Sequence, residues 1–178
     1  MSIRKRAAAV LSVLALGALT AVGAVAPASA VTLPGNIDST VNRTLTLHKH
    51  ALGPSTPLNP TSTGQQLATP PADPLAGAQF TATLVSGVDL TTAAGWTQAS
   101  SLTPAQAAQR PNTVSFVSSV SNTAGVATFS PDPALYPTGL PIGVYLVTET
   151  QLPATATNPA APFLVTLPTP TGAAGSPA

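Results

Sequence analysis

Hydrophobic and polar residues alternate along several short segments of this chain, with the period of two that places successive side chains on opposite faces of a β-strand. The clearest segment is RTLTLHK, in which Leu45, Leu47 and Lys49 share one face and the intervening polar residues share the other. Proline, glycine, asparagine and serine separate the segments and mark turns. The alternation predicts six or seven short strands, the clearest of them over residues 43–49, 76–86, 113–120, 125–130, 142–150 and 162–168.

One segment carries the signals of a helix start. Thr103 is a favourable N-cap, Pro104 suits the first helical position, and Gln106 completes a capping box. The helix should end near Arg110. Long connections such as residues 50–74 are rich in Pro and Thr, and proline lacks the N–H that a sheet ladder requires. The pattern therefore predicts an all-β protein, an immunoglobulin-like β-sandwich with long Pro/Thr-rich loops and one short helical insert.

The first thirty residues differ from the rest. A basic start, MSIRKR, precedes a long apolar run that ends in PASA, the small-x-small pattern of a signal-peptidase site. We predict a signal peptide over residues 1–30, cleaved after Ala30, rather than a membrane span. Residues 31–168 then form one domain, and residues 169–178, TPTGAAGSPA, are expected to be a linker or a truncated end.

Charge and cysteine content exclude several function classes. Three of the six basic residues leave with the signal peptide, so three face five acidic residues and the formal charge changes from +1 to −2. No basic patch is left for nucleic acid. The chain has no cysteine, which excludes disulfides and thiolate-bound metal centres.

The exported part of the chain contains a single lysine, Lys49, and a single glutamate, Glu149, both within strand-like segments. By period two, Glu149 shares a face with Tyr145 and Val147, and Lys49 shares the face of two leucines. Both residues could face the core, or each could lie near a strand end and extend to water. If they are buried they should be close together, because an unpaired buried charge costs several kcal/mol. A buried neutral amine is a nucleophile and a neutral carboxylic acid can transfer protons, so the pair could support a Lys–Asn amide cross-link.

Other candidate sites have weaker support. His48 and His50 could form a metal pair on one strand face, but two exposed histidines at a strand end are the simpler interpretation, and no second cluster supports a metal site. No nucleophile elbow or phosphate-binding loop is present. Trp96 could line a sugar site, although a partly buried anchor at the helical insert is favoured. The sequence thus indicates no enzyme, no cofactor and no metal.

The segments RTLTLHKH, PLAGAQFTATLV, DLTTAAGW, SNTAGVATFS, LPIGVYLVTETQLP and APFLVTLP, in this order, resemble the N-terminal domain of the major, or shaft, pilin of Gram-positive bacteria, a fimbrial subunit polymerised by sortase. The YLVTET segment is similar to the E-box of that family, a Tyr-x-Leu-x-Glu-Thr pattern followed by a proline. Val147 stands where leucine is usual, and Pro153 supplies the proline.

The resemblance implies an exported structural subunit of a cell-wall-anchored pilus involved in adhesion, whose partners are neighbouring pilin subunits, sortase and a host surface. It also implies a CnaB-like sandwich in which a first-strand lysine is joined to an Asn or Asp of the last strand, helped by the E-box glutamate. Lys49 matches the lysine and Glu149 the helper. The last strand-like segment contains neither Asn nor Asp, and Asn158 lies before it in a Pro-rich loop, so the acceptor is missing and no cross-link is expected.

The family's pilin motif, with its polymerising lysine, would follow the APFLVTLP segment. LPTPTG, residues 167–172, has one residue too many for a sorting signal. We therefore expect a pilin truncated before both motifs, or a lone N-terminal domain, and Lys49 is not the polymerising lysine. The alternative is a free secreted binding module that recognises host protein or glycan through the 50–74 and 89–112 loops.

Overall fold

The computed structural model describes residues 37–51, 71–111 and 114–169. Within these ranges, two antiparallel sheets and two short helices confirm the predicted all-β sandwich. One sheet contains β1 and β4, and the other has the order β3-β2-β5-β6. In chain order the elements are β1 (Thr46–His48), β2 (Gln79–Leu84), α1 (Ala93–Ser101), α2 (Pro104–Ala108), β3 (Ser115–Val117), β4 (Val126–Thr128), β5 (Gly143–Gln151) and β6 (Phe163–Leu167).

Several predictions fall wholly or partly outside the described residues. These are the signal peptide over residues 1–30, most of the 50–74 loop, and the 169–178 segment apart from Thr169. Among the helices that are described, none has the length and apolar character that crossing a membrane requires.

The core lies between the two sheets and follows from the alternation of side chains along the strands. On β2, Phe80 and Ala82 point inward, and their partners across to β5 are Glu149 and Val147. Each large apolar side chain buried in this way contributes about 1.5–3 kcal/mol. The buried residues of this core are Leu45, Ala78, Phe80, Ala82, Phe116, Ala127, Phe129, Leu140, Tyr145, Val147 and Leu167.

The opposite face of the larger sheet is covered by the helices. Val144 and Leu146 of β5 pack in a second apolar cluster with Leu90 and Ala107. Trp96 lies on α1 and packs, half-buried, against the same cluster, which agrees with its interpretation as an anchor. The helical insert therefore forms a third layer on the sheet.

The capping box predicted for the helix at Pro104 is present. The Thr103 hydroxyl accepts from the Gln106 backbone N–H, and the Gln106 side chain accepts from the Thr103 backbone N–H. The expectation of a single helix was wrong, because α1 precedes this one and is capped by Thr92. Thr, Ser and Gly give α1 low intrinsic propensity, so its packing on the second cluster stabilises it.

Candidate functional site

The site is an ion pair between the ends of two strands. Lys49 directly follows β1, where its backbone N–H donates to the Gly125 carbonyl (2.8 Å) and its own carbonyl accepts from Leu75 (2.9 Å). Glu149 lies on β5 opposite Phe80 and points into the core. The Lys49 ammonium donates to Glu149 Oε2 at 2.9 Å, with side-chain exposures of 14% and 0%. The structure thus brings together two residues one hundred positions apart.

Glu149 also holds the loop between β5 and β6. Its Oε2 accepts a second hydrogen bond, from the backbone N–H of Ala160, at 2.6 Å. Its Oε1 is buried and has no hydrogen-bond partner among the described residues. The Oε2 oxygen of Glu149, on β5, therefore binds both Lys49 at the end of β1 and Ala160 in the loop that leads to β6.

No Asn or Asp side chain of the described residues is hydrogen-bonded to this pair. Asn158 is exposed, and its side-chain amide donates to the Thr157 hydroxyl at 3.4 Å. The predicted last strand forms as β6 and contains no Asn or Asp. The pair can therefore act as an electrostatic contact, but none of its described hydrogen-bond partners supplies the carboxamide that amide formation needs.

The histidine pair lies beside the site. The His48 and His50 rings are parallel within 7°, with centroids 6.4 Å apart. Nδ1 of His50 lies 3.3 Å from the Ala72 carbonyl oxygen, while its Nε2 is buried without a partner among the described residues. Within residues 37–51, 71–111 and 114–169, no group of three or more His, Cys, Asp and Glu side chains is placed to hold a metal ion.

A comparison with protein families shows which family this chain matches. Residues 40–174 match the family model described as the Gram-positive pilin subunit D1, N-terminal domain. The chain belongs to this pilin D1 family. The family consists of structural pilin subunits, and membership indicates an exported cell-surface protein.

A curated relative supports the same assignment. The pilin domain is 31% identical over 146 residues to "Fimbrial subunit type 2" of Actinomyces naeslundii. The matched region is 79% of this chain and 27% of the relative, so the chain spans about a quarter of that protein's length. No solved structure matches the chain significantly.

Sequence reasoning missed two contributors to the pilin domain's polar contacts. Ala160 contributes through its backbone N–H, which leaves no side-chain signal in the sequence. Arg43 donates from Nε to the Leu140 carbonyl (2.9 Å) and from an Nη to the Thr138 hydroxyl (2.7 Å). This arginine joins the start of the domain to the turn before β5, and its place at the start of an alternating segment was the one available signal.

Among the described residues, the pKa values of Asp38, Asp89 and Tyr145 are shifted. Hydrogen bonds from the Thr91 hydroxyl and backbone N–H hold the pKa of Asp89 below its ordinary value, and Thr40 acts in the same way on Asp38. Burial raises the pKa of Tyr145, whose hydroxyl donates to the Pro141 carbonyl at 2.7 Å. All three groups are parts of turns or core packing, and none of them is hydrogen-bonded to the Lys49–Glu149 pair.

Proposed function

We propose that this chain is the N-terminal module of a pilus shaft subunit that is anchored to the cell wall and takes part in adhesion. Residues 1–30 direct export, neighbouring subunits stack on the module, and sortase joins the intact subunit to them. The observation that carries this proposal is the family match over residues 40–174, which includes all six described strands. The role is mechanical, and we propose no catalytic activity of its own.

The chemistry of the domain supports a structural role. The three basic residues that remain after export are engaged within the fold: Arg43 and Arg110 donate to backbone carbonyls, and Lys49 binds Glu149. The exposed charged side chains among the described residues are therefore four aspartates, Asp38, Asp73, Asp89 and Asp132, and a surface without free positive charge is unsuited to binding an anionic ligand.

The proposed function is tested on cells of the source organism with antibodies raised against residues 37–169. Sortase-joined pili resist boiling in detergent, so cell-wall extracts should show a ladder of high-mass bands that contain this protein. Deleting the sortase gene should collapse the ladder to a single low-mass band. A protein found only as a free monomer in the medium, with or without sortase, would contradict the proposal and favour the secreted binding module.

The helical segment gives no support to that alternative. The binding-module hypothesis requires the 89–112 segment to be an available loop. Instead Leu90, Trp96 and Ala107 pack on the sheet in the second apolar cluster. This segment therefore contributes to the stability of the domain.

We also propose that Lys49 and Glu149 act as a non-covalent substitute for an amide cross-link. A Lys–Asn amide forms with loss of one ammonia, which lowers the intact mass. Because the described hydrogen-bond partners of the pair include no carboxamide, we expect the purified protein to have the unmodified mass for its sequence. Mass spectrometry before and after tryptic digestion checks this, and a peptide linking Lys49 to any Asn would show that the interpretation is wrong.

A further inference from the structure

Residues 31–178 contain a single side-chain amine, that of Lys49. Lysine is among the commonest residues of soluble domains, so its scarcity here is a distinctive property of the chain. The other two basic residues of this part, Arg43 and Arg110, carry guanidinium groups, which stay protonated in proteins and have no free lone pair to offer. Lys49 is therefore the one side chain of residues 31–178 that could accept an acyl group as an amine.

The fold holds that amine in the ion pair. Lys49 Nζ donates to Glu149 Oε2 at 2.9 Å, with side-chain exposures of 14% and 0%. The same oxygen accepts from the backbone N–H of Ala160, which fixes the carboxylate in place. An ammonium that donates to a carboxylate has no lone pair with which to attack an acyl group. Removing its proton is unfavourable, because Glu149 would then be charged and unpaired in the core.

The backbone around Lys49 is also restrained. Its N–H donates to the Gly125 carbonyl at 2.8 Å, and its carbonyl accepts from the Leu75 N–H at 2.9 Å. The next residue, His50, forms a bridge with Pro74. The main chain therefore cannot carry the amine outward, and Nζ reaches solvent only when the side chain rotates and leaves the carboxylate.

We propose that Glu149 is a positioning residue that directs subunit joining away from this domain, because it holds Lys49 and so withholds the amine from acyl transfer. In such a transfer the nitrogen lone pair forms a bond to the acyl carbon. The group that carried the acyl chain leaves with its bonding electrons, and the amine proton passes to that group or to a base. Lys49 is withheld from the first of these events.

The inference rests on the proposed function, because it concerns how the joining of subunits is kept to defined positions. An acyl-transferring enzyme meets no available side-chain amine on residues 31–178. The ion pair thereby prevents a link at this domain that would branch or misalign a row of subunits. This role for Glu149 is separate from its contribution to stability, and the two are measured separately below.

Acetylation of purified residues 31–178 with N-hydroxysuccinimide acetate, at one fixed pH, measures the availability of the amine. Peptic digestion and mass spectrometry give the rate at Lys49. Val117→Lys supplies a matched exposed lysine, since Val117 is 59% exposed on β3. In the folded domain Lys49 should react at least about tenfold more slowly than the introduced lysine, because it must first leave the ion pair. In guanidinium chloride the two should react alike, and equal rates in the folded domain would overturn the proposal.

Glu149→Gln tests whether the carboxylate is the group that withholds the amine. Glutamine keeps an acceptor for the Ala160 N–H but has no charge. Lys49 then either extends to water or loses its proton, and both changes make the amine more reactive. We expect its acetylation rate to rise by about tenfold or more while urea unfolding shows the variant to be folded. An unchanged rate would mean that Glu149 does not withhold the amine.

Gly87→Ala is the control for loss of stability alone. Gly87 has φ +75° and does not belong to the ion pair, so this variant should be less stable while its Lys49 reacts as slowly as in the native domain. If Gly87→Ala and Glu149→Gln raise the rate equally, the amine reacts through unfolding and the proposal is wrong. The comparison of native Lys49 with Val117→Lys does not require the Glu149→Gln variant to fold.

A joining assay tests the same property with an enzyme. Purified sortase of the source organism and a peptide that carries its sorting signal should leave Lys49 of native residues 31–178 unmodified. Peptide found on Lys49 would contradict the proposal. A reactive Lys49 would leave the sortase-dependent ladder on cells unaffected, so failure of this inference is distinguishable from failure of the proposed function.

Discussion

Replacing Lys49 with methionine is expected to destabilise the domain by about 3 kcal/mol, because the change leaves Glu149 charged and unpaired in the core. Removing one partner of a buried ion pair typically costs about 3–5 kcal/mol. The lower end applies here because the lysine side chain keeps 14% of its exposure and is partly solvated. In a domain of this size the loss should lower Tm by roughly 10 °C.

The double variant Lys49→Met with Glu149→Gln separates charge from packing. The glutamine carbonyl can still accept from the Ala160 N–H, which Glu149 Oε2 accepts in the native domain at 2.6 Å. The double variant should therefore recover most of the stability, as buried ion pairs often can be replaced by neutral groups at little cost.

Urea unfolding followed by tryptophan fluorescence measures these changes, since Trp96 is the only tryptophan. The midpoint should fall for Lys49→Met and return in the double variant, while the m value stays constant. A single variant as stable as the native domain would show that the pair is solvated. A double variant no better than the single would show that Lys49 contributes through packing.

The proximity of Lys49 and Glu149 illustrates what a sequence pattern can predict. Each charged residue occupied a position where period two called for an apolar side chain, and burying either one alone would be costly. That cost requires a partner, and residues 31–178 contain a single lysine and a single glutamate. Pattern and energetics together therefore pointed to a contact between positions far apart in the chain.

Contacts made by the backbone leave no comparable signal. The hydrogen bond from Ala160 to Glu149 depends on how the β5–β6 loop turns, and alanine would be equally acceptable elsewhere in that loop. Helix α1 was missed for a related reason. Its residues have weak helix propensity, and its stability comes from the sheet on which Trp96 and Leu102 pack.

The alternation of side chains overestimates the length of β1, because the end of a strand is set by its backbone pairing with the neighbouring strand. The pattern predicted a strand over residues 43–49, but β1 spans Thr46–His48, since only these residues form the ladder with β4. Arg43 instead bridges to Gly139. Side-chain alternation continues through residues whose backbone pairs with a different segment, so it cannot locate the end of a ladder.

Gly125→Ala is expected to destabilise the domain by about 3 kcal/mol or more, combining a left-handed backbone with steric overlap. Gly125 has φ +75° in the turn before β4, where its carbonyl accepts from the Lys49 N–H. A Cβ there would overlap the Lys49 carbonyl oxygen, and it would lie 3.2 Å from Pro74 Cβ. The overlap involves backbone, so the segment that carries Lys49 would have to move.

Gly87→Ala is the matched control for this change. Gly87 has the same φ of +75°, but the nearest atom that its Cβ would meet is 3.6 Å away, at the end of the flexible Arg110 side chain. Its loss should be about 1–2 kcal/mol, the cost of the backbone conformation alone. If urea unfolding shows that the two variants lose the same free energy of unfolding, the backbone at Gly125 lies farther from Lys49 than the structure indicates.

The same glycine variants test whether the close approach of Gly125 positions the ion pair. If Gly125→Ala displaces Lys49 from Glu149, part of its loss is the loss of that pair. Introduced into the Lys49→Met, Glu149→Gln background, where there is no pair to displace, Gly125→Ala should then cost less than in the native domain. Gly87→Ala should cost the same in both backgrounds. An unchanged cost for Gly125→Ala would mean that the overlap is relieved elsewhere, and that β4 does not set the position of the lysine.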